Sequence, residues 1–368
     1  MLKTKIFLPV ITLAFTAVYT LSCNKDNTKD SVPSDYAISE DMECTDTLYT
    51  SKDTIVCLYS DYNEADTKMS LITSINGKPI SECRLLGKFD WVSGRGRMLD
   101  ITSGIDTISI PAQPLPDSIN ITDKLCLAEV SNLKHSRHFA LNDSSAICTF
   151  SIDMRLPIPQ RQWLSDFIQK DIMNLMKAVL ESEDSGSKIK NFKGDNRDMK
   201  AFAEHCYNEF KRLYLAENEV FGLENDILFE IYPVWTSSDS ALTTYRFLNS
   251  TYMGGAHGGM EDYYITFDNK TGRLLGFSDF FKSDAERDKA ILKLEDKLTD
   301  YKNSIGLQGR FSANINDINL LSSDIPIKEQ YNGKTYPRPA MTRHGIVFSY
   351  QPYEMGAFSE GILHFVIR

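Results

Sequence analysis

A block of four glycines within residues 254–259 constrains the fold more than any other stretch of the chain. Glycine reaches positive φ without a steric penalty and lets other groups approach the backbone closely, so such a block interrupts regular structure. Extended segments stand on both sides of it, at residues 242–253 and 262–268. A turn of sequence Asn-Lys-Thr-Gly then leads into a third extended segment at residues 273–277. The pattern predicts a strand, a glycine-rich break and a β-hairpin.

Two motifs in the C-terminal part of the chain resemble one known family. Residues 252–281, YMGGAHGGMEDYYITFDNKTGRLLGFSDFF, and residues 350–368, YQPYEMGAFSEGILHFVIR, are similar to the extracellular domain of RsiV-like proteins. The family is named after a lysozyme-sensing anti-sigma factor, and most of its members are envelope proteins of unknown function. A strand ending in a proline at residues 150–157 also fits, so the resemblance covers about residues 127–368. It implies a fold and an envelope setting, and it implies no reaction.

The N-terminus has the pattern of a bacterial lipoprotein signal followed by a tether. Two lysines precede an apolar run, and a small residue stands directly before Cys23. We expect a signal peptide over residues 1–22, a lipid on Cys23 and a polar tether over residues 23–35. The lipid would anchor the chain in a Gram-negative cell envelope, at the outer membrane, and the sequence leaves open which face it occupies. The alternative is an ordinary cleaved signal in which Cys23 is incidental.

Beyond the signal, no segment of the sequence is apolar over the ~20 residues that a bilayer span requires. An anti-sigma factor needs a membrane span and a cytoplasmic arm. We therefore expect the ligand-sensing half of the family analogy to apply to this chain, and the signalling half not to apply.

The charge balance restricts the partners. The chain has a net charge of −10, and removal of the signal peptide, which contains two lysines, makes it more acidic. An acidic surface argues against nucleic acid and against anionic lipid surfaces as partners. It favours a cationic partner, and lysozyme, the ligand in the family analogy, is strongly cationic.

The rest of the chain divides into two regions of different periodicity. Residues 36–126 show short extended runs between turn signals and no helical period, which predicts a small all-β module. Residues 127–368 carry strands and helices in blocks, which predicts an α+β domain with helices packed on a mostly antiparallel sheet. The predicted strands are residues 54–60, 69–75, 98–102, 107–110, 118–122, 147–156, 227–235, 242–253, 345–350 and 361–367. Apolar spacing predicts helices that begin near Trp163, Met199 and Ser283.

The even number of cysteines permits disulfides in a chain outside the cytoplasm, without fixing their pattern. Six remain after Cys23, and six cysteines allow fifteen pairings. Cys206 falls on the apolar stripe of the second predicted helix with Phe202 and Phe210, so we expect a buried thiol there. The Cys and His spacings do not match a zinc motif, and we expect neither a metal nor a cofactor.

His257 in the glycine block is the first candidate for catalysis. Glu261 follows it at a spacing that would supply two metal ligands on a helix, but the glycines oppose a helix and no third ligand is visible. The simpler interpretation is a structural turn in which His257 bonds to backbone. The sequence contains no Gly-x-Ser-x-Gly nucleophile motif. We therefore assign no catalytic residue.

Acidic and aromatic residues around the two C-terminal motifs form the candidate ligand-binding set. If their side chains face outward, aromatic anchors beside carboxylates suit the capture of a cationic protein. The alternative is that the aromatic residues belong to the core or are scattered over the surface. The candidate residues are His257, Glu261, Asp262, Tyr263, Tyr353 and Glu354.

These observations favour a non-enzymatic envelope lipoprotein that binds a protein ligand, with lysozyme or another muramidase as the expected ligand. An envelope enzyme acting on peptidoglycan or another glycan is the first alternative, because carboxylates are plentiful around the motifs. A structural or assembly lipoprotein is the second. Asp-Ser/Thr-aliphatic triplets such as Asp53-Thr54-Ile55 and Asp106-Thr107-Ile108 also resemble bacterial O-glycosylation acceptors, and the sequence does not settle whether they are modified.

The lipid anchor predicts a defined intact mass. Full-length protein expressed in a Gram-negative host should lose residues 1–22 and gain the mass of an acylated cysteine. Cys23→Ser should abolish both changes, because only a thiol accepts the lipid. Mass spectrometry of the membrane fraction measures this. Cleavage without added acyl mass would contradict the lipoprotein assignment, and further mass in hexose units would identify glycosylation.

Overall fold

A computed structural model gives the fold of the chain. It describes residues 42–51, 53–63, 66–86, 89–121, 130–140, 147–181, 188–216, 224–253, 258–315 and 327–368. The predicted signal peptide, Cys23, the tether and His257 lie outside the described residues, as does the predicted boundary between residues 126 and 127. No helix in the described ranges combines the length and the apolar character needed to cross a membrane.

The N-terminal region consists of two sheets. One has the strand order β1-β2-β3-β4-β8, and the other has the order β5-β6-β7. The five strands predicted here are present, although β1, β4 and β5 were missed. The strands are β1 (Met42–Thr50), β2 (Thr54–Asn63), β3 (Asp66–Ile75), β4 (Lys78–Leu86), β5 (Trp91–Arg95), β6 (Met98–Ser103), β7 (Asp106–Pro111) and β8 (Ser118–Asn120).

Local turn chemistry and alternation explain this region. Asn76 and Gly77 both have positive φ, as a two-residue hairpin turn requires, and they join β3 to β4. Apolar side chains on one face of each strand meet in a shared core that includes Val56, Leu71 and Leu99. The β-rich character expected of this region is therefore present in its described residues.

The larger sheet of the C-terminal region has the order β13-β12-β11-β10-β9. Three of its strand pairs are antiparallel, and the β10–β11 pair is parallel. A parallel pair needs a long crossover, which here contains α1 (Gln162–Leu180) and α2 (Met199–Ala216). The five strands are β9 (Val130–Ala140), β10 (Ile147–Pro157), β11 (Glu224–Thr236), β12 (Leu242–Tyr252) and β13 (Gly259–Asp268).

Both crossover helices pack on one face of this sheet. The apolar stripe that predicts α1 is buried at Leu164, Ile168 and Ile172, and the Trp163 ring lies 5.0 Å from that of Phe267 on β13. On α2, Cys206 is a fully buried free thiol, as predicted. The expected helix-on-sheet packing is therefore present at this face.

Strands cover the opposite face, which the sequence did not predict. Tyr264 on β13 packs there with Val347 and Ala340. The covering elements are β14 (Lys328–Tyr331), β15 (Lys334–Pro337), β16 (Ala340–Thr342), β17 (Gly345–Tyr350) and β18 (Leu363–Ile367), with a short α3 (Phe277–Phe280) and the long α4 (Asp284–Ser304) beside them. The described chain is thus mostly sheet, with several sheets and few helices. The prediction of a simple arrangement of helices on one sheet was therefore wrong in this respect.

The predicted hairpin after the glycine block is only half correct. Its first arm is β13, but residues 273–276 form a single bridge, Phe267 to Leu274, rather than a strand. The Asp268 carboxylate accepts hydrogen bonds from the Lys270 and Thr271 amides and closes the turn. The chain then enters α3 directly. In contrast, α4 begins as predicted, because the Ser283 hydroxyl caps the Glu286 amide.

A buried arginine on β12 joins the two regions. Arg246 donates to both Asp262 oxygens, with Nε–Oδ1 and Nη2–Oδ2 distances of 2.8 and 2.6 Å. Its Nη1 lies 2.9 Å from an oxygen of Asp90 in the N-terminal region and 2.6 Å from the Tyr232 hydroxyl. Burial opposes ionisation of Asp262, but the hydrogen bonds and charges of Arg246 and His364 together outweigh it and keep the pKa of this carboxyl below its usual value. The described parts of both regions belong to one compact unit.

Removing this arginine should be costly. Arg246→Met leaves the buried Asp262 carboxylate without its counterion, so we expect a loss of about 3–5 kcal/mol in the free energy of unfolding. Arg273→Met is the matched control, because Arg273 pairs with Asp279 while its own side chain is 58% exposed, and it should cost less than about 1 kcal/mol. Urea unfolding measures both. Equal losses would contradict a central role for Arg246.

Candidate functional site

The strand β13 presents its acidic residues to two different buried environments. Consecutive side chains on a strand point to opposite faces, so Glu261 and Tyr263 face the helices while Asp262 and Tyr264 face the small sheets. Glu261, Asp262 and Tyr263 are only 4%, 5% and 2% exposed, and Glu354 is 3% exposed. The condition that these side chains face outward is therefore not met for these four residues, and Tyr263 follows the alternative of a core position.

A pocket of about 300 Å³ opens where the glycine block ends. Three of the predicted binding residues, Glu261, Tyr353 and Glu354, line it together. Apart from Lys328 and Gln351, most of its remaining side chains are apolar. These other lining residues are Val179, Thr251, Met253, Gly258, Gly259, Met260, Ile327, Pro352 and Phe358.

Glycine is required at one edge of this pocket. A Cβ atom on Gly258 would lie 2.3 Å from the Thr251 carbonyl oxygen, which is too close for any side chain. The glycine allows β12 and β13 to approach each other directly beside the pocket, with Thr251 paired to Gly259. The block thus shapes the site, although the structure of residues 254–257 is not described.

The opposite wall is a turn held by Gln351. The Gln351 side-chain amide makes two hydrogen bonds with the backbone of Asp262. Its oxygen accepts from the Asp262 N–H and its nitrogen donates to the Asp262 carbonyl, each at 3.0 Å. The Glu354 carboxylate accepts from the Gln351 backbone N–H at 2.7 Å. Between them, Tyr353 has a φ of +69°, a conformation that L residues rarely adopt. These contacts fix the turn against β13, so Glu354 is a structural residue as well as a pocket residue.

The two carboxylates that line the pocket, Glu354 and Glu261, differ in how their negative charge is compensated by neighbouring groups. Lys328 Nζ lies 3.1 Å from Glu354 Oε1 and forms an ion pair with it. Burial raises the pKa of Glu354 despite this partner and the Gln351 amide. Glu261 has a 3.3 Å contact from the Asn249 side-chain amide and, among the described residues, no ion pair. Burial, with a further contribution from the Glu354 charge, raises the pKa of Glu261 to about 7.

A further carboxyl lies next to Glu261 in the core. Asp171 on α1 is fully buried, and its Oδ2 accepts from the Tyr263 hydroxyl at 2.9 Å. Burial and the charge of Glu261 raise the pKa of Asp171 to about 8. Asp171 Oδ1 and Asn249 Oδ1 have no hydrogen-bond partner among the described residues. The site therefore contains carboxyls that burial makes harder to ionise, and Asp171 favours the neutral form at neutral pH.

The other predicted site residues lie elsewhere or outside the described chain. Asp262 is engaged by Arg246 and lies 3.2 Å from the His364 ring nitrogen, on the face away from the pocket. The ring of Tyr263 stacks on that of Phe247 in the core, with centroids 5.2 Å apart. His257 is not described. Asp171 was not among the predicted site residues, although an aspartate beside Ile168 and Ile172 in an apolar stripe is a signal that the sequence contains.

Metal and disulfide chemistry find no support in the described ranges. No three His, Cys, Asp or Glu side chains come together there as metal ligands. The thiols of Cys57, Cys83, Cys148 and Cys206 are free. The groups that define the chemistry of the site are therefore its carboxyls, Lys328 and its apolar walls.

Comparison with known proteins adds two solved structures. No family model matches the chain, and no curated protein matches it. A DUF3298 family protein from Pseudomonas aeruginosa PAO1 is 13% identical, with a TM-score of 0.41, over 65% of this chain and 90% of that one. A member of the same family from Bacteroides fragilis NCTC 9343 is 17% identical, with a TM-score of 0.38 and the same coverage. Both of these solved structures are DUF3298 family proteins.

The buried carboxyls predict that stability falls with rising pH. The folded pKa of Asp171, about 8, lies above its value in an unfolded chain. Its contribution to stability is therefore complete at acidic pH and is lost as the pH rises through about 8, with a size on the order of a few kcal/mol. Asp171→Asn, which cannot ionise, should reduce the fall in Tm between pH 6 and pH 9.

Asp166→Asn, at an exposed position on the same helix, is the control and should leave that fall unchanged. Differential scanning calorimetry compares the three proteins. A fall in Tm that is the same in wild type and Asp171→Asn would show that Asp171 ionises freely in the folded chain.

Proposed function

We propose that this chain is a non-enzymatic lipoprotein of a Gram-negative cell envelope whose RsiV-like α+β domain binds a cationic protein ligand. A basic side chain of the ligand would enter the pocket at Glu261. The observation that carries the proposal is the buried Glu261 carboxylate, which has no ion pair among the described residues and lines a largely apolar pocket. A lysine or arginine matches both features, because each has an apolar stem and a charged end.

The size and charge of the site support a side chain rather than a polymer as the occupant. A volume of about 300 Å³ stands at the lower limit of ligand pockets. Lys328 already neutralises Glu354, so the entering cation would pair with Glu261. The overall charge of −10 would also speed the approach of a cationic protein.

Lysozyme is the first ligand to test. The similarity of residues 252–281 and 350–368 to RsiV-like proteins motivates it, and lysozyme exposes many basic side chains. The contact surface proposed here is the pocket with Met260 and Tyr353 at its opening, instead of a broad acidic face. The proposed lipid on Cys23 would hold this surface at the membrane.

An envelope enzyme acting on glycans is the second candidate, and one observation favours it. Glu261 and Glu354 line the same pocket and both have raised pKa values, as a general acid requires. Against it, both Glu354 oxygens already accept hydrogen bonds, from Gln351 and Lys328. Release of reducing sugars from peptidoglycan, lost in Glu261→Gln, would favour the enzyme.

Binding to lysozyme should depend on Glu261. Calorimetric titration of the full-length chain with C-type lysozyme should show saturable one-to-one binding that weakens with salt. Glu261→Gln should raise Kd about tenfold or more, equivalent to about 1.4 kcal/mol, because the amide cannot pair with the cation. Asp300→Asn is the matched control: it removes the same charge at an exposed position that does not line the pocket.

Absence of heat at low and at high salt would rule out lysozyme as the ligand. An equal weakening in Glu261→Gln and Asp300→Asn would attribute binding to net charge and would contradict the assignment of the pocket.

A further inference from the structure

Two buried carboxyls from different elements meet beside the pocket. Asp171 comes from α1 and Glu261 from the start of β13. The Asn249 amide donates to Glu261, the Tyr263 hydroxyl donates to Asp171, and the charge of Glu261 acts directly on Asp171. Asp171 is closed off from solvent, whereas Glu261 also lines the pocket. The ionisation of Asp171 in the core is therefore linked to that of Glu261 in the pocket.

Among the described residues, this pair of carboxyls lacks the cationic partners that would stabilise two buried negative charges. Asp171 and Glu261 have no ion pair in the described residues. Asp171 Oδ1 has no hydrogen bond of normal geometry there, and the nearby Asn249 amide offsets only part of the cost of ionising Asp171. The nearby charged groups are Glu354, which opposes ionisation of Glu261, and Lys328, which favours it but is already paired with Glu354. Two interacting buried carboxyls in this setting are not both ionised at neutral pH without a cation, so the empty pair retains a proton there.

We propose that the pocket accepts an ammonium or guanidinium group on an apolar stem in exchange for a proton held by the Asp171–Glu261 pair. The cation enters through the opening beside Met260, forms an ion pair with the Glu261 carboxylate, and the carboxyl proton leaves to solvent. One positive charge enters and one leaves, so the charge of the buried site is unchanged. This inference rests on the proposed function and names the chemistry of its ligand.

The exchange makes binding depend on pH. Titration of the pair is centred near neutral pH, at about 7 for Glu261 and about 8 for Asp171. Below that range each bound cation must displace a proton, so the affinity should rise about tenfold per pH unit. Above it the pair is already ionised, and the affinity should level off. A lysine ammonium, with a pKa of about 10.4 in water, stays charged throughout.

The pocket supplies its own reporters for the test. Met253 and Met260 both line it, so their methyl NMR signals should shift when it fills, while methionines elsewhere serve as internal controls. N-acetyl-lysine amide is the probe, and N-acetyl-norleucine amide is its neutral counterpart with a similar stem. Each is titrated into the full-length chain from pH 5.5 to pH 8.5.

The expected result is selective binding of the lysine compound, with a Kd that falls as the pH rises and then levels off. Glu261→Gln should weaken it at least about tenfold at pH 8 and remove the pH dependence. Asp171→Asn should keep binding but should level off at a lower pH, because a neutral neighbour no longer competes for charge.

Four results would overturn the inference. Equal binding of the norleucine compound, or a Kd that does not change with pH, would do so while lysozyme binding could still stand. Retention of the pH dependence in Glu261→Gln, with its loss in His257→Gln, would assign the titrating group to the histidine. Lysozyme binding without any response to the lysine compound would likewise reject the ligand class and leave the proposed function in place.

Discussion

The burial of β13 on both faces is the constraint on which the rest of the structure depends. A strand covered on one side by helices and on the other by small sheets has no solvent face for polar residues, yet this one carries Glu261 and Asp262 in succession. The two carboxyls differ in whether their charge has a cationic partner. Asp262 is paired with Arg246, which also bonds to Asp90 and joins the N-terminal region to the sheet. Glu261 has no cationic partner among the described residues and faces the pocket instead.

This difference connects stability to function. Arg246, which compensates Asp262, also links the two regions through Asp90. Glu261, which lacks such a partner among the described residues, provides a site that a cation would complete. Burial of an unpaired carboxyl costs free energy, and it is retained where the environment serves a purpose such as binding. Asp171 adds to this free-energy cost, because it is a second buried carboxyl that interacts with Glu261 and has no counterion among the described residues.

Much of the fold could be predicted from residue patterns, and part of the site could. The stripe from Leu164 to Ile172 predicted α1, and Ser283 with Glu286 predicted the start of α4, because these signals are local. The hairpin arm at residues 273–276 failed because the Asp268 turn leads into α3. The motifs brought together Glu261, Tyr353 and Glu354, which line one pocket in the structure, and their role in binding stays a prediction. The burial of Glu261 and Glu354 could not be foreseen, because it depends on the turn at residues 351–354 packing against β13, a contact between segments far apart in the sequence.

The most direct test of the central claim is the titration of the Glu261 carboxyl itself. Carbon-detected NMR on the full-length chain, with the signal assigned by comparison with Glu261→Gln, follows its ionisation from pH 3 to pH 9. A buried, unpaired carboxyl predicts a midpoint near 7 in the free chain and a lower midpoint when a cation occupies the pocket. A midpoint near the ordinary glutamate value of about 4.3 would show a solvated or paired side chain. It would contradict both the site and the function built on it.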